Sequence, residues 1–274
     1  MSKVDFSACI SKIKNQKVDR PNKATAGTLS GHAAGEPFEK KVYHILKEMY
    51  PSCIYKQYEY LNDIYLKHPK HITVEQRYAL LDSPTALFLL SRGDKATREW
   101  TPQNIFEEKQ NDTADILFYD DGIYDIIDVK TRNKSKDAQP PNIISAYKLA
   151  KMCALMIDNA EYDNIHIDYV EIDWVEDGDY LKCTNSHHGD LFKANPETLY
   201  INWAAAMQIQ FHVCNLDQSW KGTREEWARH YLKVFVTSAE HRCQTMREQY
   251  VIPFLKYIKD IKDVSKVKEN TLFD

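Results

Sequence analysis

Two aspartates and a lysine, Asp115, Asp128 and Lys130, carry the clearest chemical signal in this chain of 274 residues. Between the aspartates lies Asp121-Gly122, the strongest short-range signal for a two-residue type I′ hairpin turn. Centring the turn there pairs Asp120 with Ile123 and Tyr119 with Tyr124, and the same register sets Asp115 opposite Asp128. Residues directly opposite in a ladder share a face, with Cβ atoms about 4.5–5.5 Å apart. Lys130 follows Asp128 by two and joins that face, while Ile116, Ile127 and Val129 point the other way, into a core.

Facing carboxylates repel, so a fold gains nothing by pairing them. A hard divalent cation removes the conflict. Mg2+ takes oxygen ligands and tolerates two carboxylates together with waters and a substrate phosphate. The main-chain carbonyl of Val129, between Asp128 and Lys130, is the candidate third protein ligand. Lys130 would orient or help deprotonate an attacking water and stabilise charge on the phosphate. These parts suit phosphodiester hydrolysis. The plainer alternative is a strand cap at Asp115 and an exposed Asp128–Lys130 pair worth under ~1 kcal/mol.

The residues that follow extend the pattern. Lys130, Arg132, Lys134 and Lys136 place four basic groups within seven residues. They read either as a solvated loop or as a loop that tracks phosphates. Gln139 and Asn142 flank Pro140-Pro141, and amides on a stiff segment suit hydrogen bonding to base edges. Asn142 equally reads as the N-cap of the next helix.

Other elements must hold this hairpin. Val42, Ile45, Leu46 and Met49 share one face of a helix over EKKVYHILKEMY, with Pro37 near its first turn. Three glycines, Gly27, Gly31 and Gly35, precede it without the spacing of a phosphate loop. Residues 54–65 read as a strand or irregular segment, and 74–82 as a short helix. Ser83-Pro84 opens the next helix, with a stop at Gly93, and Thr101-Pro102 repeats the start signal. Residues 143–157 are predicted as an apolar helix. Residues 165–174 are predicted as a strand whose phase breaks between Tyr169 and Val170, suggesting a bulge. Residues 207–213 alternate, with Gln208, Gln210 and His212 on one face. Thr223-x-x-Glu226 is a capping box opening a long helix that Pro253 kinks or restarts.

Composition bounds the class. The chain is 43% hydrophobic and 28% charged, enough for a sizeable core. No apolar run approaches the ~20 residues of a membrane span, and the N-terminus lacks a signal-peptide core, so a soluble cytoplasmic protein is expected. Six scattered cysteines form no zinc spacing and read as reduced thiols. His187, His188 and His212 read as satisfied or surface histidines, and Asp168, Glu171 and Asp173 as a solvated acidic face. The net charge of −4 means that any polyanion must meet locally concentrated positive charge. Residues 1–23 carry six basic against two acidic side chains and read as a solvated or polyanion-binding arm. The whole chain is expected to be a single α/β domain, with residues 111–142 as its catalytic hairpin and loop and residues 223–268 as C-terminal helices.

Asp115, twelve intervening residues and Asp128-Val129-Lys130 resemble the PD-(D/E)xK nuclease core, with Ala114 where that core usually has proline. Longer segments are similar to the HincII/HindII-type restriction endonucleases: GTLSGHAAGEPFEK, KQYEYLND, FLLSRG, EEKQNDTADIL, DVKTRN, QPPNIISAYKLA, LYINWAAAMQIQFHV and GTREEWA, spread over residues 27 to 228. The resemblance implies a mixed central β-sheet flanked by helices. It implies a homodimer that uses Mg2+, or Mn2+ in its place, to cut both strands of duplex DNA at a site like GTYRAC, centrally and with blunt ends. It also implies a cognate DNA methyltransferase as functional counterpart. Asp115, Asp128 and Lys130 fall on catalytic positions; Gln139, Asn142 and Asn202 fall on positions that approach bases. Arg132 and Lys134 are the candidate phosphate contacts. Pro140 stands where the family pattern has alanine. The competing readings are a structure-specific repair nuclease or junction resolvase on the same core, and a DNA-binding protein without catalysis.

Overall fold

The computed structural model describes residues 2–21, 31–65, 72–90, 113–137 and 139–258. The signals at Gly27, Gly93 and Thr101-Pro102 and the end of the C-terminal region lie outside the described residues.

The hairpin forms where turn chemistry places it. Asp121 and Gly122 both have positive φ, 49° and 74°, as a type I′ turn requires. Strand β3 (Ile116–Asp120) pairs antiparallel with β4 (Ile123–Asn133), with Asp120 opposite Ile123 and Ile116 opposite Ile127. β4 then pairs parallel with β6 (Ile165–Asp177), which pairs antiparallel with β7 (Tyr180–Asp190). With β1 (Lys17–Asp19) and β2 (Ile54–Tyr55) at the edges, the six-stranded mixed sheet runs β1-β7-β6-β4-β3-β2.

Each face of the sheet carries a core. Ile116, Ile127 and Val129 pack with α1 (Phe6–Ile13) and α2 (Gly31–Met49), where Phe38, Val42 and Leu46 are fully buried. Leu117, Tyr124 and Ile126 face the larger core, which takes in α5 (Pro84–Leu90), α6 (Ala146–Asn159) and the start of α7 (Arg224–Met246). A second, three-stranded sheet is built from β5 (Asn142–Ser145), β9 (Gln208–Gln210) and β8 (Ile201–Asn202), with β9 in the middle.

Several expectations are corrected. Residues 57–65 form a helix, α3 (Gln57–Tyr65), after only two strand residues. α2 starts at Gly31, so Pro37 sits inside it. Asn142 opens β5, and Ser145 is the N-cap of α6, which removes the capping role for Asn142. The register shift in β6 falls between Asp173 and Trp174, and not at Tyr169. Residues 165–174 are buried on both sides, so their alternation is lost to double burial and not to an extra residue. β7 is polar enough to have escaped the periodicity reading. Residues 2–21 are no loose arm: α1 buries Phe6, Cys9 and Ile13, and Lys3, Lys17 and Arg20 pair with Asp120, Asp177 and Glu176. The short helix α4 (Val74–Leu81) and the capping box at Thr223 form as expected. One π turn, Arg247–Val251, precedes α8 (Ile252–Leu255), where Pro253 lies.

Candidate active site

The hairpin's open end positions the two acids. Asp115 is the residue before β3, one step beyond the last ladder pair. Its carboxylate takes over from the main chain there, with Oδ2 accepting a hydrogen bond of 2.7 Å from the Val129 N–H. Lys130 Nζ sits 2.9 Å from Asp128 Oδ1 and 2.7 Å from Oδ2. All three side chains gather on the face opposite Ile116, Ile127 and Val129. The pairing is largely screened from water, with Asp128 only 8% exposed.

The segment entering β3 is pinned from α3. Gln57 Oε1 accepts from Ala114 N at 2.7 Å, and Gln57 Nε2 donates to Leu90 O. Lys56 Nζ donates to the Asp115 carbonyl at 3.2 Å and to Glu39 Oε1 at 2.5 Å. Lys56 and Gln57 were not singled out by sequence reasoning. Their only signal lay in the KQYEYLND segment, where nothing local marks a lysine or glutamine as a clamp on a distant loop.

The electrostatics follow from this geometry. Burial pushes the Asp115 carboxyl up to about 8; the Asp128 charge and a hydrogen bond to its carboxyl push the same way, against Lys130. For Lys130, burial disfavours the charge, but Asp128 outweighs it, with help from Asp115 and Glu39, and the ammonium is held above its ordinary value. Asp115 thus resists carrying its charge beside Asp128. The site's donor set, two carboxylates and the Val129 carbonyl, is all oxygen, which fits a hard divalent cation. Among the described residues, no group of three or more His, Cys, Asp or Glu side chains could hold a metal ion. A metal here would therefore rest on fewer side chains.

Asp115, Val129 and Lys130 line a cleft of about 800 Å³ together with Glu36, Glu39, Lys136, Gln139 and Asn142. Gln139 and Asn142 are exposed there. Lys130 and Lys136 of the basic run belong to this lining. Arg132 and Lys134 do not: Arg132 reaches Cys214 Sγ at 3.4 Å, and Lys134 lies 3.8 Å from Asp173. Asn202 stands back from the cleft but joins Asn142 through Gln210, a residue noted in the sequence only as part of an alternating strand.

The other polar candidates are satisfied elsewhere. Glu171 is fully buried, with His212 Nδ1 2.7 Å away, and Asp173 contacts His187, so the acidic face is not solvated. The six cysteines are free thiols; Cys9, Cys153 and Cys183 are buried, whereas Cys214 and Cys243 are exposed. Among the described residues, no helix is long and apolar enough to cross a membrane.

Comparison with known proteins identifies a family. Residues 9–258 match the family described as restriction endonuclease HincII. The chain is 61% identical over 243 residues to the type II restriction enzyme HindII of Haemophilus influenzae strain Rd, covering 89% of this chain and 93% of that protein. It is 60% identical, with the same coverage, to the type II restriction enzyme HincII of Haemophilus influenzae.

Proposed function

The chain belongs to the HincII/HindII family of type II restriction endonucleases, site-specific deoxyribonucleases, and from that premise we propose that Asp115, Asp128 and Lys130 form its hydrolytic centre. The observation that carries the reading is the pair of screened acids with a lysine on one of them, at the wall of a cleft that also holds Gln139 and Asn142. The substrate is duplex DNA, and the expected site resembles the palindrome GTYRAC, cut at its centre to leave blunt ends.

Asp115, Asp128 and the Val129 carbonyl would hold Mg2+. When bound, the ion would supply Lewis-acid stabilisation of charge on the scissile phosphate and lower the pKa of a water. Lys130 would orient that water and offer a proton-bearing cation to the phosphate oxygens, while its bonds to Asp128 fix its position. Asp115, with its proton affinity raised by burial, is neutralised either by a proton or by the cation, so metal binding and proton release are coupled. Gln139 and Asn142 would approach base edges and Lys136 the backbone, with Asn202, set back from the cleft, acting on bases through Gln210 and Asn142; Arg132 and Lys134, outside the cleft, would serve longer-range attraction.

A homodimer fits a palindromic site, since each protomer brings one hydrolytic centre to one strand. Its partner in biology would be a methyltransferase that protects the same site. A pyrimidine–purine step at the centre is easily kinked, which lets deformation select it with few direct contacts. The exposed apolar residues Met246, Tyr250, Ile252, Phe254 and Leu255 are a surface that a second protomer would cover.

The test is a plasmid digest with Mg2+ followed by sequencing of the ends. Blunt ends at the centre of GTYRAC are expected. Smeared fragments, or cleavage confined to branched DNA, would favour a structure-specific nuclease instead. Lys130→Ala is expected to bind the duplex and fail to cut it; normal cutting by that variant would remove Lys130 from the mechanism.

A further inference from the structure

Three side-chain amides form a chain whose direction is set at one end by the backbone. The N–H groups of Ala204 and Ala205 both donate to Asn202 Oδ1, each at 3.1 Å. A main-chain N–H can only donate, so this atom of Asn202 must be the carbonyl oxygen. Asn202 Nδ2 then donates to Gln210 Oε1 at 2.8 Å, and Gln210 Nε2 donates to Asn142 Oδ1 at 2.8 Å. The order is forced at every step. Turning over any one amide would set donor against donor or acceptor against acceptor.

The chain ends at the cleft. Asn142 lines it and is exposed, and its side chain's one hydrogen bond among the described residues is that from Gln210. Its oxygen is therefore held toward Gln210, and its amino group faces the other way. Three strands of the small sheet build this arrangement, with Gln210 on the central β9 opposite Asn142 on β5.

We propose that Gln210 is a positioning residue for DNA recognition: it relays the polarity of the Ala204–Ala205 turn to Asn142 and locks that amide as a hydrogen-bond donor toward the DNA. The locked group would select a base edge that offers an acceptor, such as a purine N7, a guanine O6 or a thymine O4. An unlocked asparagine could present either end and would discriminate less. This inference rests on the reading that the cleft binds duplex DNA, and it adds a residue that need not touch a base.

The decisive variant is Gln210→Glu. A carboxylate accepts from both neighbours, so Asn202 keeps its bond while Asn142 must turn its amino group inward and show its oxygen to the DNA. Hydrogen exchange of the side-chain amide protons, followed by NMR on the full-length DNA-free protein, should find the Asn142 amino protons fast-exchanging in the parent and protected in the variant. Cleavage rates on a set of duplexes, each with one base pair of the site replaced, should fall about 10- to 100-fold for the parent site and improve relative to it at one base pair. Gln210→Met, close in volume and apolar at its tip, should flatten the discrimination at that same pair without reversing it. In an Asn142→Ala background neither Gln210 change should alter the ratios further. Unchanged exchange in Gln210→Glu, or parent-like ratios in both variants, overturns the relay. Absence of any discrete fragments from the parent enzyme overturns the DNA-cleaving reading instead, and the lock is then judged by the exchange measurement alone.

Discussion

Strand β4 supplies one acid to each of two carboxylate pairs, Asp128 on one face and Asp125 on the other, and among the described residues the first pair opens to a cleft while the second does not. Asp128 lies beside Asp115, with Lys130 at hand, on the face of the larger core. Three residues earlier Asp125 is fully buried on the other face, beside Asp168, which stands opposite Ile127 on β6. Burial raises both: Asp125 goes well above the carboxylate range, and Asp168 to about 7, with the neighbouring acids adding to the rise. Ser2 donates to Asp125, and His188, stacked on Phe6 with ring centroids 4.1 Å apart, contacts Asp168 at 2.5 Å. Among the described residues, Asp125 Oδ1 and Asp168 Oδ2 are buried with no hydrogen-bond partner. The N-terminal segment thus seals one pair, whereas the other has a cleft in front of it. A perturbed carboxyl is no sign of catalysis by itself; access to a cleft and a lysine at hand separate the two pairs.

The largest expected difference between the pairs is in cleavage. Asp115→Asn should slow single-turnover cutting on the order of a thousandfold or more, because it removes a candidate metal ligand. Asp168→Asn should leave the rate within a few-fold of the parent. Equal losses in both would erase the functional difference between the two pairs.

Metal exchange comes next. Ca2+ in place of Mg2+ should retain duplex binding with little turnover, since it is larger and activates water less well. Adding Ca2+ or Mg2+ should raise the thermal midpoint of the parent but not of Asp115→Asn. Robust cutting in excess EDTA would contradict metal use altogether.

Stability against pH sharpens the comparison on a smaller scale. The folded-state values of Asp115, Asp125 and Asp168 are raised above their unfolded values, so the native state binds more protons. Their contribution is fully present below about pH 4 and is lost as pH rises through about 7 and 8. The metal-free protein should therefore lose thermal midpoint between about pH 4 and pH 8, in addition to other groups' effects. Asp168→Asn should reduce that loss by about 2–4 °C for each kcal/mol recovered. A pH profile unchanged by the substitution would show that the sealed pair shares no proton.

The smallest effect separates the basic loop. Lys136→Ala, at the cleft, should lower the slope of log affinity against log salt by about 1, and Lys134→Ala, beside Asp173, by less. Equal slopes would mean that both contact phosphate.

The hairpin that carries the candidate site was legible because its information is local. A positive-φ turn at Asp121-Gly122 fixes the register, and a period of two then decides which of Asp115, Asp128, Lys130 and Val129 share a face. The capping box at Thr223 is local in the same way. What the chain alone could not reveal is long-range. β5 was hidden in an apolar run read as helix, and β6 lost its alternation because both faces are covered. Gln57, which clamps Ala114 from 57 residues away, and Gln210, which reaches Asn142 across 68, carry ordinary polar side chains with no pattern around them. Turn geometry and strand pleat act between neighbours and are written in residue order. Which distant amide completes a hydrogen bond, and which of two acid pairs is sealed from water, depend on packing that exists only once the whole chain has folded.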